Sequence, residues 1–185
     1  GRDSLWTHYF QSSKIGNRIN VIYRDKFDTL WIGTNNGISY GTNCSDLNRI
    51  ECAVGSQVTA ITEDRENNIW FGTNNGQLYF YDRISCQRSL VQLPNAPPIT
   101  CMILDSLGYL WIGTLENGIY RLHLNWRVFN KSNSGIEDNF INDIVEDHQG
   151  NLWIATDNKY LFKYQNRKFE KFEVYTRIEG MNEVN

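Results

Sequence analysis

Residues 141–156 read INDIVEDHQGNLWIAT, and the same phrase occurs three times earlier: INVIYRDKFDTLWIGT at 19–34, VTAITEDRENNIWFGT at 58–73 and ITCMILDSLGYLWIGT at 99–114. The tryptophans stand at 31, 70, 111 and 153, so the spacings are 39, 41 and 42 residues. An aspartate precedes each by six positions: Asp25, Asp64, Asp105 and Asp147. A period near forty residues, built from short apolar runs, is the sequence mark of propeller blades.

Each period divides into four strand-like segments. The first, such as Ile19–Arg24 or Ile141–Glu146, alternates moderately and is expected to line a central channel. A turn opening with the aspartate follows. The tryptophan phrase is the second strand; its apolar residues run on consecutive positions, which suits a strand covered on both faces. Asn-Asn-Gly at 35–37 and 74–76 reads as a tight primed hairpin, because Asn and Gly tolerate positive φ. Third strands are expected at 77–82 and 119–124, and outer strands at 88–93 and 168–174. The expected fold is all-β: a β-propeller of about four consecutive four-stranded blades, at about 19–54, 58–93, 99–130 and 141–174.

The composition agrees. Aromatic residues make up 14% of the 185, Pro occurs three times, and no stretch has the periodicity of a long helix, all of which favours strands. A net charge of −3 with mixed signs gives no pull toward nucleic acid. No apolar run approaches membrane-spanning length. The four cysteines (Cys44, Cys52, Cys86, Cys101) lack zinc-site spacing. Cys101 lies in an apolar strand pattern and reads as a buried free thiol. Cys44 and Cys52 flank a hairpin and could bridge in an oxidising compartment.

The repeated residues have structural explanations. Trp31, Trp70, Trp111 and Trp153 are expected to pack between neighbouring sheets. Gly33, Gly72 and Gly113 are expected to admit a neighbouring backbone or ring, and Ala155 shows that one methyl fits there. The aspartates are expected to hydrogen-bond their own turns. They fall on separate blades without a ligand-rich loop, so neither metal nor cofactor is expected.

The strand count leaves a remainder. The segment 5–20 resembles the outer strand and loop that end a repeat, as at 126–142, and 175–185 enters the same loop, with Val184 and Asn185 aligned to Ile19 and Asn20. Propellers commonly close by lending an N-terminal outer strand to the last blade. The expectation is therefore an N-terminal part of a larger propeller of the seven-bladed type, with an outer strand at 5–10 and with open edges through which it self-associates.

The phrase I-x-x-D-x-x-x-x-L-W-I-G-T-x-x-G followed by Tyr and an outer strand resembles the two-component regulator propeller repeat, and the likeness covers nearly the whole chain. It departs at DKFDT, which lacks Gly, and at Asp157-Asn158-Lys159, where a Gly-ended turn is usual. The resemblance implies a periplasmic sensor region of a hybrid histidine kinase or related regulator, often with an oligosaccharide ligand, in a dimer of the full protein that meets the membrane only through a further, downstream helix. It identifies scaffold, and carries over no binding residue.

No Gly-x-Ser-x-Gly elbow, His-Glu-x-x-His or phosphate-cradling loop occurs, and His8, His123 and His148 share no ligand spacing. The domain is therefore expected to be a ligand-sensing module, not an enzyme. The alternatives are a propeller-type polysaccharide lyase or hydrolase and a protein-interaction scaffold. Ligands would meet the face carrying the loops into the inner strands and the second hairpins. Candidates there are Asn35, Asn36, Asn74, Asn75, Glu116, Asn117, Asp157 and Asn158, whose amides and carboxylates suit sugar hydroxyls. Each also reads as a plain turn former in water.

Overall fold

The structure, a computed structural model, describes residues 18–42, 47–50, 55–123, 125–158 and 160–173. The expected outer strand at 5–10, the Cys44–Cys52 pair, His8, Lys159 and the segment 175–185 lie outside them. Every regular element among the described residues is a strand, and no helix is long and apolar enough to cross a membrane.

The strands form four sheets. The first holds β1 (Ile19–Arg24), β2 (Leu30–Thr34), β3 (Gly37–Gly41) and β4 (Asn48–Ile50). The second holds β5 (Val58–Glu63), β6 (Ile69–Thr73), β7 (Leu78–Asp82) and β8 (Gln87–Val91). The third holds β9 (Ile99–Leu104), β10 (Leu110–Thr114), β11 (Ile119–Leu122) and β12 (Trp126–Phe129). The fourth holds β13 (Ile141–Glu146), β14 (Leu152–Thr156), β15 (Tyr160–Gln165) and β16 (Lys168–Glu173). Each is an antiparallel meander in chain order, one sheet per repeat. The second strands are buried on successive positions, β10 along its whole length, as strands sandwiched between sheets must be. The third strand expected from Gln77 begins at Leu78, because the Gln77 carbonyl accepts from the Thr73 N–H within the hairpin turn.

The sheets stack face to face in sequence, with β1 against β5, β5 against β9 and β9 against β13. Among the described residues β13 makes no comparable contact with β1. The core therefore lies between sheets. Trp31 clusters with Val58, Phe71 and Tyr81 of the second sheet, and Trp111 with Ile141, Ile154 and Phe162 of the fourth. Among the described residues the outer face of the first sheet has no such cover: Ile19 and Ile22 of β1 are 50% and 61% exposed, whereas their counterparts Val58 and Ile61 are 0% and 5%.

The repeated glycine admits a side chain, not the backbone or ring expected from sequence. An added Cβ at Gly33 would lie 2.7 Å from Val58 Cγ1, at Gly72 2.6 Å from Ile99 Cγ2, and at Gly113 2.7 Å from Ile141 Cγ2. The first residues of β5, β9 and β13 are thus knobs, and the glycine of the preceding sheet is the socket of each. Ala155 carries its methyl at the corresponding place in the fourth sheet, paired across from Asp143 as Gly113 is from Cys101.

The hairpins also differ from expectation. Asn35, Asn36, Asn74 and Asn75 keep ordinary φ, and only the glycines turn left-handed: Gly37 at 101°, Gly76 at 79° and Gly118 at 78°. A type I′ turn needs positive φ at both central residues and a type II′ turn at the first, and the asparagines at 35–36 and 74–75 have neither, so these are not primed turns. The threonine ending each phrase closes the loop instead: Thr34, Thr73, Thr114 and Thr156 donate Oγ1–H to the carbonyls of Gly37, Gln77, Gly118 and Tyr160.

Candidate functional site

On one face of the molecule lie the aspartate turns. Asp25 Oδ1 accepts from the N–H groups of Phe27 and Thr29, and Oδ2 accepts from the Trp31 indole at 2.7 Å and from the Arg83 guanidinium. Burial works against the charge of Asp25, yet the bonds from Trp31, Arg83 and the two backbone N–H groups outweigh it and hold the carboxyl below its ordinary range. Asp64, Asp105 and Asp147 accept from Trp70, Trp111 and Trp153 in the same way. The aspartates therefore serve their own turns, as expected, and also anchor the indoles, which sequence reading missed. The third residue after each is left-handed: Asp28, Asn67, Gly108 and Gly150. Asp28 thus fills in DKFDT the place that Asn67, Gly108 and Gly150 take in the other repeats, a conformation Asp tolerates.

The opposite face is where the loops into the inner strands meet the second hairpins. A β-bulge interrupts each inner strand next to its first residue, between Ile19 and Val21, between Val58 and Ala60, opposite the Gly113/Thr114 step in β9, and between Ile141 and Asp143. A bulge re-aims one side chain out of the alternating pattern. The freed residues link the sheets: Asn20 Nδ2 donates to the Val58 carbonyl at 3.1 Å, Thr59 Oγ1 to Ile99 at 2.6 Å, and Thr100 Oγ1 to Ile141 at 2.5 Å.

Between these inner-strand ends lies a cavity of about 430 Å³, lined by Arg18, Asn20, Gln57, Thr59, Asn74 and Thr100 with an apolar margin that includes Ile99 and Leu115. Its amides form a relay: Asn74 Nδ2 donates to Gln57 Oε1 at 3.2 Å, and Gln57 Nε2 donates to Asn20 Oδ1 at 3.3 Å. Such a mouth offers amides, hydroxyls and one guanidinium, which hydrogen-bond a polar ligand without a group that exchanges protons near neutrality.

Of the eight residues singled out from sequence, Asn74 lines this cavity. Asn35 accepts from the Arg18 N–H, Asn36 accepts from the Gly55 N–H, and Asn75 Nδ2 donates to the Ser56 hydroxyl, so these amides brace loops. The backbone N–H groups of Asn117, Asp157 and Asn158 are bound by Thr114, Phe140 and Asp138. Glu116, Asp157 and Asn158 are exposed on the same face, outside the cavity lining. Asn20, Gln57, Thr59 and Thr100 were missed, since a bulge leaves no mark in an alternating pattern. The one available hint was the polar residue beside the first apolar one in each inner strand.

The sequence profile described as two component regulator propeller matches residues 13–36, 54–75, 92–116 and 135–158. No curated protein sequence matches. Among solved structures, the extracellular domain of a B. thetaiotaomicron protein assigned as a hybrid two component system, BT3049, superposes with a TM-score of 0.72 at 24% identity, over 84% of this chain and 23% of that one. A second such domain, BT4673 of the same organism, gives 0.69 at 22% identity over 86% and 25%. Virginiamycin B lyase from Staphylococcus aureus gives 0.74 at 16% identity over 86% and 57%. The chain thus spans about a quarter of the length of the two extracellular domains. At these identities the likeness to the solved structures is one of fold.

Proposed function

We propose, from the premise that the chain belongs to the two-component regulator propeller family, that it is part of a periplasmic ligand-sensing propeller of a hybrid two-component signalling protein, and that its ligand is an oligosaccharide. The observation that carries this reading is the polar cavity at the inner-strand ends, lined by Asn20, Gln57, Thr59, Asn74 and Thr100. Several amides and hydroxyls converging beside an apolar margin match a sugar, which presents hydroxyls at its edge and C–H groups on its face. The exposed loop residues Glu116, Asp157 and Asn158 widen the same face for a ligand longer than one ring. The extracellular placement of the BT3049 and BT4673 domains supports a location outside the cytoplasm.

Sensing would be differential stability: a ligand held across loops of several sheets favours one arrangement of the whole protein over another. Calorimetric titration with a panel of oligosaccharides should give saturable binding of at least one, weakened in Asn74→Ala and Gln57→Ala, with the sugar recovered intact. Release of new reducing ends or unsaturated products would favour the lyase or hydrolase alternative. Binding of a protein partner with no sugar binding would favour the scaffold. A coding sequence that continues into a membrane helix and kinase domains is the expected genetic context, and its absence would count against the sensor.

A further inference from the structure

On the aspartate-turn face, two of the three clefts between sheets are closed by a tyrosine lying edge-on to the preceding sheet's tryptophan. Tyr81 meets Trp31 at 5.7 Å between ring centres, and Tyr164 meets Trp111 at 5.0 Å. Strand pairing puts Leu122 at the same place in the cleft between the second and third sheets: it lies across from Leu110 as Tyr81 lies across from Ile69 and Tyr164 from Leu152. A leucine is a ring too short to close the cleft. A cavity of about 290 Å³ opens there, bounded by Asp64, Glu66, Trp70, Leu107, Leu122 and His123. Trp70 is accordingly half-buried, where Trp31 and Trp111 are each 1% exposed.

The first cleft shows which chemistry this place accepts. There the guanidinium of Arg83 lies 4.9 Å from the Phe27 ring centre and 5.7 Å from that of Trp31, and it pairs with Asp25. Its Nε also donates to the Asn67 carbonyl at 3.0 Å. In the second cleft the counterparts of Trp31, Asp25 and Phe27 are Trp70, Asp64 and Glu66, while the residue aligned with Arg83 is Leu124 in the sequence. The indole and its aspartate are therefore repeated, a carboxylate takes the place of the nearer ring, and the sequence carries a leucine where the first cleft draws its arginine. Arg65 also lines the cleft, but its guanidinium is engaged by the Ser106 carbonyl. The lining keeps a formal charge of −1 with His123 neutral, from Asp64, Glu66 and Arg65.

We propose that the cleft over Trp70 is a binding site for a planar cation, and specifically for an arginine side chain of a protein or peptide partner. A guanidinium is flat enough to stack on the indole and carries donors for Asp64 and Glu66 together. A lysine ammonium satisfies the charge but not the plane. The site lies on the face opposite the polar cavity, so it can be occupied independently of a ligand there.

The test is an NMR titration of the intact chain, following the Trp70 indole N–H signal, with Nα-acetyl-arginine methylamide as probe and Nα-acetyl-lysine methylamide as comparison. The expected result is a saturable shift at Trp70 with the arginine probe and binding weaker by about threefold or more with the lysine probe. Leu122→Tyr, which restores the residue of the neighbouring clefts, should abolish the shift while leaving the Trp31 and Trp111 indole signals in place. Glu66→Gln, an exposed change that leaves the core untouched, should weaken the arginine probe and reduce its salt dependence. No saturable shift, an equal response to lysine, or undiminished binding in Glu66→Gln overturns the proposal.

Discussion

The indole Nε1–H of Trp31 donates to Oδ2 of Asp25 at 2.7 Å, across six residues and inside the buried seam between two sheets. The same pair recurs at 3.0 Å for Trp70 and Asp64, 2.7 Å for Trp111 and Asp105, and 2.9 Å for Trp153 and Asp147. One carboxylate therefore fixes both the turn that reverses the chain and, in the first three sheets, the ring that faces the next seam, which couples local geometry to packing.

Trp31→Phe keeps most of the ring but removes the N–H, leaving the buried Asp25 short of one donor. The expected cost is about 1–3 kcal/mol, measured from urea unfolding. Trp153→Phe should cost less, because Trp153 and Asp147 are only partly buried and water replaces the lost donor.

The acid arm of stability should belong largely to these carboxylates. Asp25 is held below its ordinary range by the net effect described above, and Asp147 is lowered chiefly by the hydrogen bond from the Asn151 side chain and then by that from Trp153. A folded-state pKa below the unfolded one stabilises the fold fully above the unfolded value of about 3.9, and that contribution disappears as pH falls through the folded pKa. Urea midpoints should be flat from neutrality down to about pH 5 and fall below it. Asp25→Asn should lower the plateau and make the fall shallower.

Gly72→Ala places a methyl 2.6 Å from Ile99 Cγ2, in a seam where neither side has room. Overpacking of this kind costs about 1–3 kcal/mol. Ile99→Ala alone should cost about 2–5 kcal/mol by leaving a cavity. Together the two changes should cost less than their sum, since the new methyl enters the space the isoleucine vacates. Additive losses in denaturant melts would sink the knob-and-socket account.

Thr100→Val keeps the shape of the bulged residue and deletes the 2.5 Å bond to the Ile141 carbonyl. A loss of about 1 kcal/mol is expected. Hydrogen exchange should show faster opening of the seam between β9 and β13 than between β1 and β5.

Cys101 and Cys86 should separate cleanly in thiol labelling. Burial, the largest influence, pushes the Cys101 thiol up to about 12, against weaker help from a hydrogen bond to Thr100. Its sulfur also lies 2.5 Å from where a Cβ on Gly113 would be, so it is packed into the socket. Cys86 is exposed in the turn between β7 and β8. Mass spectrometry after iodoacetamide should find Cys86 modified in the native protein and Cys101 modified only in denaturant.

The sequence by itself determined the number of sheets, their strand order and the seams they share. Each of those follows from a local pattern: an aspartate turn and an apolar run too continuous for a half-exposed strand in all four repeats, and a hairpin containing glycine in three of them. Tertiary structure alone decided what each repeated residue meets. The glycine faces Val58, Ile99 or Ile141 of the following sheet, the bulged Asn20, Thr59 and Thr100 reach across seams, and Leu122 in place of a tyrosine opens a cleft over Trp70. Those relationships join residues roughly 25 to 50 positions apart, and the repeat that makes the fold legible also makes every copy look alike. Only the packing of one sheet on the next shows where a copy departs from its neighbours, and the candidate sites lie where side chains from two or more sheets converge.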